Sequence, residues 1–121
     1  MSGDTLAADV CSLVTNADRR VRFAGVLDKN GKLVEGRMRK NTPSLLPKGK
    51  DDLLFLRTAS QLKELQAFRS SLGEVSHIFI RMEKVSLVVI SLKGGRTLLV
   101  SIEPDADPSF VVPILKGAIP G

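Results

Sequence analysis

Between Val75 and Glu103 the chain reads VSHIFIRMEKVSLVVISLKGGRTLLVSIE, three consecutive strand-like runs separated by short breaks. The middle run, from Ser86 to Leu92, is apolar on both faces, and such a strand belongs inside a sheet that is covered on both sides. That one requirement restricts the chain to a layered fold. Gly94-Gly95 is a hairpin signal, because primed two-residue turns need φ > 0 at one or both central positions. With those two residues as the turn, Lys93 faces Arg96 and Leu87 lies opposite Ile102. Leu87, Val89 and Ser91 then share a face with Ile102, Val100 and Leu98, while Ser86, Val88, Ile90 and Leu92 lie with Glu103, Ser101, Leu99 and Thr97. In the first run Ile78, Ile80 and Met82 point one way and His77, Phe79, Arg81 and Glu83 the other, as expected of a strand nearer the sheet edge.

Upstream, Asp4 can cap a helix from Thr5 to about Ala17 with Leu6, Val10, Leu13, Val14 and Ala17 as its buried stripe. Cys11 sits on the flank of that stripe and reads as packing. The next stretch, VRFAGVLDKNGKLVEGRM (Val21–Met38), is two apolar runs around Asp28-Lys29-Asn30-Gly31, a turn signal because Asn and Gly tolerate left-handed backbone. Either Asn30-Gly31 is a two-residue turn or Gly31 closes a three-residue loop; the two options differ by one residue of register. Gly25 and Gly36 fall opposite or nearly opposite each other, which marks a bend, a bulge or the close approach of another group. Asp28, Asn30 and Glu35 resemble a calcium loop only superficially, since the turn is too short and is surrounded by Lys and Arg.

Arg39–Lys50, RKNTPSLLPKGK, is a connector whose apolar tip, Leu45-Leu46, either folds back on the core or is offered to a partner. Ser44 stands where a phosphate-binding loop needs its first Gly, so Gly49-Lys50 is not a Walker motif. Asp51-Asp52 open a helix running to about Leu72, with Gly73 as its stop. It spans about 31 Å, enough to cross a five-stranded sheet. Phe55, Ala59, Leu62, Leu65, Phe68 and Leu72 form its stripe. Leu53, Leu54 and Leu56 make its first turn apolar nearly all round, more than one sheet face needs. Burial against a second copy is one use for that surplus; packing under Leu45-Leu46 is the other. After the meander, Asp107 caps and Pro108 opens a last helix that buries Phe110, Val111, Ile114, Leu115 and Ala118 and ends at Pro120. The element order is α-ββ-α-βββ-α over a single domain, residues 1–121. This is an α+β fold: a five-stranded antiparallel sheet sandwiched between a long central helix and two short terminal helices.

Chemistry is sparse. One histidine (His77) and one cysteine supply neither a catalytic triad nor a zinc site, and the carboxylates sit on caps and turns. The expectation is a non-enzymatic protein with no catalytic residue, metal or cofactor. With no signal-peptide pattern at its start and no apolar run near 18 residues, it is expected to be cytoplasmic, without membrane insertion. Charge is uneven: ten Lys/Arg against Asp28 and Glu35 give residues 19–50 a charge of +8, which, against a chain total of +5, leaves −3 elsewhere. Arg19, Arg20, Arg22, Lys29, Lys32, Arg37, Arg39 and Lys40 are therefore a candidate basic surface for an acidic partner. Alternatively they are solvated loop and edge residues. Nucleic acid is weakly supported as that partner, because Tyr and Trp are absent and only Phe23 lies within the segment.

The order of elements, carried by RFAGVLDKNGKLVEG in the first hairpin, LRTASQLKELQAFRSSLG at the helix end and HIFIRMEKVSLVVISLKGGRTLLVSIE in the meander, resembles the roadblock/longin group of profilin-like domains. The hairpin stretch is also similar to an uncharacterised archaeal family of small domains. The roadblock resemblance implies a homodimer or heterodimer built through the central helix and an edge strand, acting as a scaffold or regulator for a small GTPase. Carried onto this chain, it adds His77, Phe79 and Arg81 to Leu53, Leu54 and Leu56 as the candidate interface. The same plan of elements occurs in PAS-like sensors, so a small-ligand sensor with a cavity between sheet and helix is the alternative.

Overall fold

The computed structural model describes residues 5–47 and 49–118, with side chains as far as Leu115. Its elements run α1 (Thr5–Ala17), β1 (Val21–Leu27), β2 (Leu33–Met38), α2 (Lys50–Gln66), α3 (Arg69–Leu72), β3 (His77–Arg81), β4 (Ser86–Ser91), β5 (Thr97–Ile102) and α4 (Val111–Ala118). The five strands form one antiparallel sheet in the order β2-β1-β5-β4-β3. The expected α+β sandwich is therefore present, with β3 and β2 at the two edges. The capping role expected of Asp4 and the stop expected at Pro120 lie outside the described residues.

Two cores sit back to back across the sheet. On one face Ala7, Val10, Cys11 and Val14 of α1 and Val111 and Leu115 of α4 meet Ala24, Val26, Val88, Leu98, Val100 and Ile102. On the other, Phe55, Ala59 and Leu62 of α2 meet Leu27, Leu87, Val89 and Leu99. Val88, Val89 and Val100 have no exposed surface at all, so β4 and β5 are the interior strands that the meander predicts.

The meander's register departs from the expectation by one residue. Ser86 pairs with Ile102, Val88 with Val100 and Ser91 with Thr97. The turn is a three-residue loop, Lys93-Gly94-Gly95, closed by Leu92 N–H donating to Arg96 O at 2.9 Å, with φ of 76° and 75° at the two glycines. Alternation within each strand is as expected, but the cross-strand partnership of faces is the opposite one. Ser86, Val88 and Ile90 share their face with Leu98, Val100 and Ile102. Register is dictated by burial only when one face is apolar and the other polar, and here both faces are apolar. At the first hairpin the three-residue option holds: Asp28 N–H donates to Lys32 O at 2.8 Å and Gly31 N–H to Asp28 O at 2.9 Å, with Gly31 at φ 80°. The Asp28 carboxylate accepts from the N–H groups of Asn30 (2.8 Å) and Lys32 (3.0 Å), bonds that lower its pKa. A bulge follows, between the pairs Val26–Glu35 and Leu27–Leu33.

Both helix stripes need correction. In α1 the buried set is Ala7, Val10, Cys11, Val14 and Thr15, whereas Leu6, Leu13 and Ala17 face outward. Cys11 is thus central to the stripe; burial pushes its thiol up to about 11, and its S–H reaches Glu35 O at 3.7 Å. The expected long helix is interrupted at Ala67-Phe68, where Ala67 N–H turns to Glu64 O and one further turn, α3, precedes Gly73. Only Phe55, Thr58, Ala59 and Leu62 of α2 are buried.

Gly25 and Gly36 pair directly, and the approaching group is internal. The Phe23 ring lies over both glycines: a Cβ on Gly25 would sit 2.7 Å from Phe23 Cζ and 3.0 Å from Leu33 Cδ1. Phe23 cannot readily swing away, because it stacks on Phe55 at 5.9 Å between ring centres. Gly25→Ala is expected to cost about 1–3 kcal/mol through overpacking. In a Phe23→Leu background the same substitution should cost less, a coupling of about 0.5–3 kcal/mol readable in a double-mutant cycle of urea unfolding. Equal costs in the two backgrounds would contradict this packing account.

Candidate interaction surface

The buried side chains of α2 share a core with Leu27 of β1, Leu87 and Val89 of β4 and Leu99 of β5, and Ile78 and Ile80 of β3 pack at its margin. Ile78 and Ile80, which point to the α2 side of β3, are consequently only half buried. The chain then places more apolar surface around them. Leu65, Phe68 and Leu72, expected in the helix stripe, are exposed, Phe68 by 59% and Leu72 by 83%. Two bonds between the Gln66 amide and the Val75 backbone (3.1 and 3.2 Å) hold the α3 segment beside the start of β3. The result is an apolar surface next to a strand that pairs on one side only. Exposed apolar side chains beside a sheet edge are a candidate interaction site, and an unpaired edge is a template for another strand.

The six residues expected at an interface are distributed differently. Leu53 and Leu56 are exposed, by 45% and 47%. Leu56 lies against the first hairpin turn, its Cα 3.0 Å from where a Cβ on Gly31 would be. Leu54 is half buried and lines, with Leu45, Leu46, Met38 and Phe55, a cavity of about 150 Å³. The Leu45-Leu46 tip therefore folds back over the helix start. His77, Phe79 and Arg81 lie on β3 but point to the opposite face of the sheet. His77 Nδ1 meets Ser76 Oγ at 2.9 Å, and Phe79 packs against the α1/α4 core. Arg81 stacks on Phe79 at 5.2 Å and donates to the Ala106 (3.1 Å) and Pro104 carbonyls. The two groups are thus not brought together: the leucines lie by the first hairpin and the connector, and the β3 residues on the other face of the sheet. Sequence reasoning missed Phe68, Leu72, Ile78 and Ile80 as surface. The available signal was the stripe's length, which exceeds what a sheet narrowed by an open edge strand can cover.

The cations of the basic segment divide between those engaged within the fold and those left exposed. Arg20 pairs with Asp18 at 2.6 Å, holding that carboxyl at about 2, and lies 3.9 Å above the Phe110 ring. Arg22 reaches Glu103 at 3.4 Å and Pro43 O at 3.0 Å. Arg39 donates to Val21 O (2.7 Å), Thr15 O (2.8 Å) and Asp18 O, tying β2 to the end of α1. Arg37 donates to Ser12 Oγ at 3.2 Å. Arg19, Lys29, Lys32 and Lys40 are exposed and enter no ion pair among the described residues. The 150 Å³ cavity is smaller than the roughly 300–1,000 Å³ of typical ligand pockets. Among the described residues no three His, Cys, Asp or Glu side chains gather as metal ligands, and no helix is long and apolar enough to cross a membrane.

No protein-family model matches the sequence, nor does any curated protein sequence. Solved structures do match in three dimensions. Gliding protein MglB from Thermus thermophilus aligns with a TM-score of 0.74 at 19% identity over 96% of this chain and 87% of that one. An MglB described as having a tetrameric arrangement aligns at 0.75 and 20% identity, covering 96% and 86%. A Roadblock/LC7 domain from Streptomyces avermitilis aligns at 0.71 and 13% identity, covering 90% and 88%. The fold is that of the roadblock/longin-like group.

Arg39 tests the separation of structural from interacting cations. Arg39→Ala leaves up to three carbonyls short of a donor and should cost about 1–3 kcal/mol, measured by urea unfolding. Arg39→Lys, lacking the planar fork, should recover only part of it. Neither change should alter oligomeric state; an Arg39→Ala protein of unchanged stability would place the residue among the surface cations instead.

Proposed function

We propose that this chain is a non-enzymatic, dimeric protein-interaction module, a single roadblock-like domain that works in the cytoplasm as a scaffold or regulator for a small GTPase. The observation that carries the reading is the open β3 edge with Leu65, Phe68, Leu72, Ile78 and Ile80 beside it. Two copies related by a two-fold axis perpendicular to the sheet beside β3 pair their edges antiparallel and cover each other's apolar flank with the same residues, as a self-complementary contact requires. Pairing two such flanks removes both the unsatisfied backbone groups and the apolar surface from water, which is what a stable interface of about 800 Å² per partner needs. The likeness to an MglB in a tetrameric arrangement supports self-association as open to this fold. The GTPase half of the reading rests on the roadblock resemblance.

Phe68→Asp and Leu72→Asp alter highly exposed side chains, so thermal stability of the folded chain should not depend on them directly. By sedimentation at micromolar concentration the wild-type chain is expected to be a dimer. Each variant is expected to weaken association about 30-fold or more, as loss of an interface anchor does. A monomeric wild-type protein would sink the dimer. The partner half is tested separately, by crosslinked pull-down with the wild-type chain as bait; recovery of no small GTPase in either nucleotide state would remove it.

A further inference from the structure

The two hairpin loops that meet at one end of the sheet are built alike. Lys29-Asn30-Gly31 and Lys93-Gly94-Gly95 are both three-residue loops that begin with Lys and end with a left-handed Gly. Because β1 pairs with β5 the loops are neighbours, and a Cβ on Gly95 would lie 3.5 Å from Lys29 Cβ. From above, α2 reaches over: Lys63 Nζ donates to Lys29 O at 2.8 Å. Together with Arg69 and Arg96 these residues border a cleft of about 820 Å³ at the sheet end. Its walls include Leu62, Ile90, Leu92 and Leu115.

Five cations, Lys29, Lys63, Arg69, Lys93 and Arg96, therefore face one concavity whose acids are Asp28 and Glu74, a balance of +3. Lys29, Lys63, Arg69 and Lys93 enter no ion pair among the described residues. Only Lys29 belongs to the basic stretch 19–50. The other four come from the part of the chain that sums to −3, so folding alone concentrates them.

We propose that this cleft binds a small molecule carrying clustered phosphates. The volume lies in the range of a single small ligand. Lys supplies point charges and Arg a planar fork, the pair of donors that phosphate oxygens accept from best. Nucleic acid fits less well: the cations converge on one concavity instead of tracking a backbone, and His77 is the only ring in the lining. The positive field is felt by Asp28, whose pKa is lowered chiefly by its bonds to the Lys32 and Asn30 backbone and in smaller part by Lys32 and Arg96.

Titration calorimetry of the full chain with sodium tripolyphosphate at about 150 mM salt tests the site. Saturable one-site binding is expected, weakened at least tenfold in Lys63→Ala/Lys93→Ala. Arg19→Ala/Lys40→Ala removes the same charge outside the cleft and should bind within twofold of wild type. Three results would each overturn the proposal: no saturable binding, equal loss in both double variants, or tighter binding of a polyglutamate of matched charge. Cosedimentation with phosphatidylinositol-bisphosphate vesicles in the absence of tripolyphosphate binding would do so too, assigning the cleft to a membrane surface. The cleft variants leave Phe68, Leu72 and the β3 flank untouched, so this outcome and the oligomeric state are read independently.

Discussion

Two adjacent strands, β4 and β5, bury apolar side chains on both of their faces, and the remaining architecture follows from that burial. Val88 and Val89, neighbours in sequence, enter different cores, and Leu98 and Leu99 do the same. Each such side chain is worth about 1.5–3 kcal/mol when withdrawn from water, so neither face can be left bare. One helix layer is insufficient, which is why α1 and α4 share one face while α2 takes the other. A single sheet sandwiched in this way needs only 121 residues. It leaves little apolar surface in reserve, except where a strand extends beyond the helix that should cover it. At β3 this occurs: Ile78 and Ile80 pack only at the margin of the α2 core and stay half buried.

Element identity was legible in the sequence where period and punctuation agreed. The strands, the first and last helices and the edge position of β3 follow from alternation, from the 3.6-residue repeat and from Gly and Pro. Register was legible only in part. At Gly94-Gly95 two apolar faces removed the usual penalty for a slip, and at Asp28–Gly31 two loop lengths suited the same residues. Helix faces failed for a related reason. In α1 the buried face is Ala7, Val10, Cys11, Val14 and Thr15 while the larger Leu6 and Leu13 are exposed, a choice that hydrophobicity alone does not express. In α2 the apolar stripe continues through Leu65, Phe68 and Leu72, whereas the surface able to bury it ends earlier.

Charge shows the same division between what is local in sequence and what folding assembles. The conspicuous basic run is partly consumed by architecture: Arg20, Arg22 and Arg39 fasten the end of α1, the start of β1 and the connector to one another. At the opposite end of the sheet, cations from distant parts of the chain converge because two hairpin loops and a helix end there. A count of residues along the chain detects the first group and passes over the second. The ends of the sheet thus differ in kind, one tied together by arginine–carbonyl bonds and the other open and positively charged.

Cys11 is the chain's one thiol, and it lies 2% exposed at the centre of the α1 layer. Its raised pKa and its burial suppress reaction with electrophiles for the same reason, the apolar contact between α1 and the sheet. Once α1 lifts, both restraints end together, and the thiol regains the acidity and access of an ordinary cysteine. Alkylation kinetics then follow the opening equilibrium of that layer in the manner of amide exchange. The protein carries a native, single-site clock for the separation of one helix layer, with no label to introduce and no competing sulfhydryl to remove.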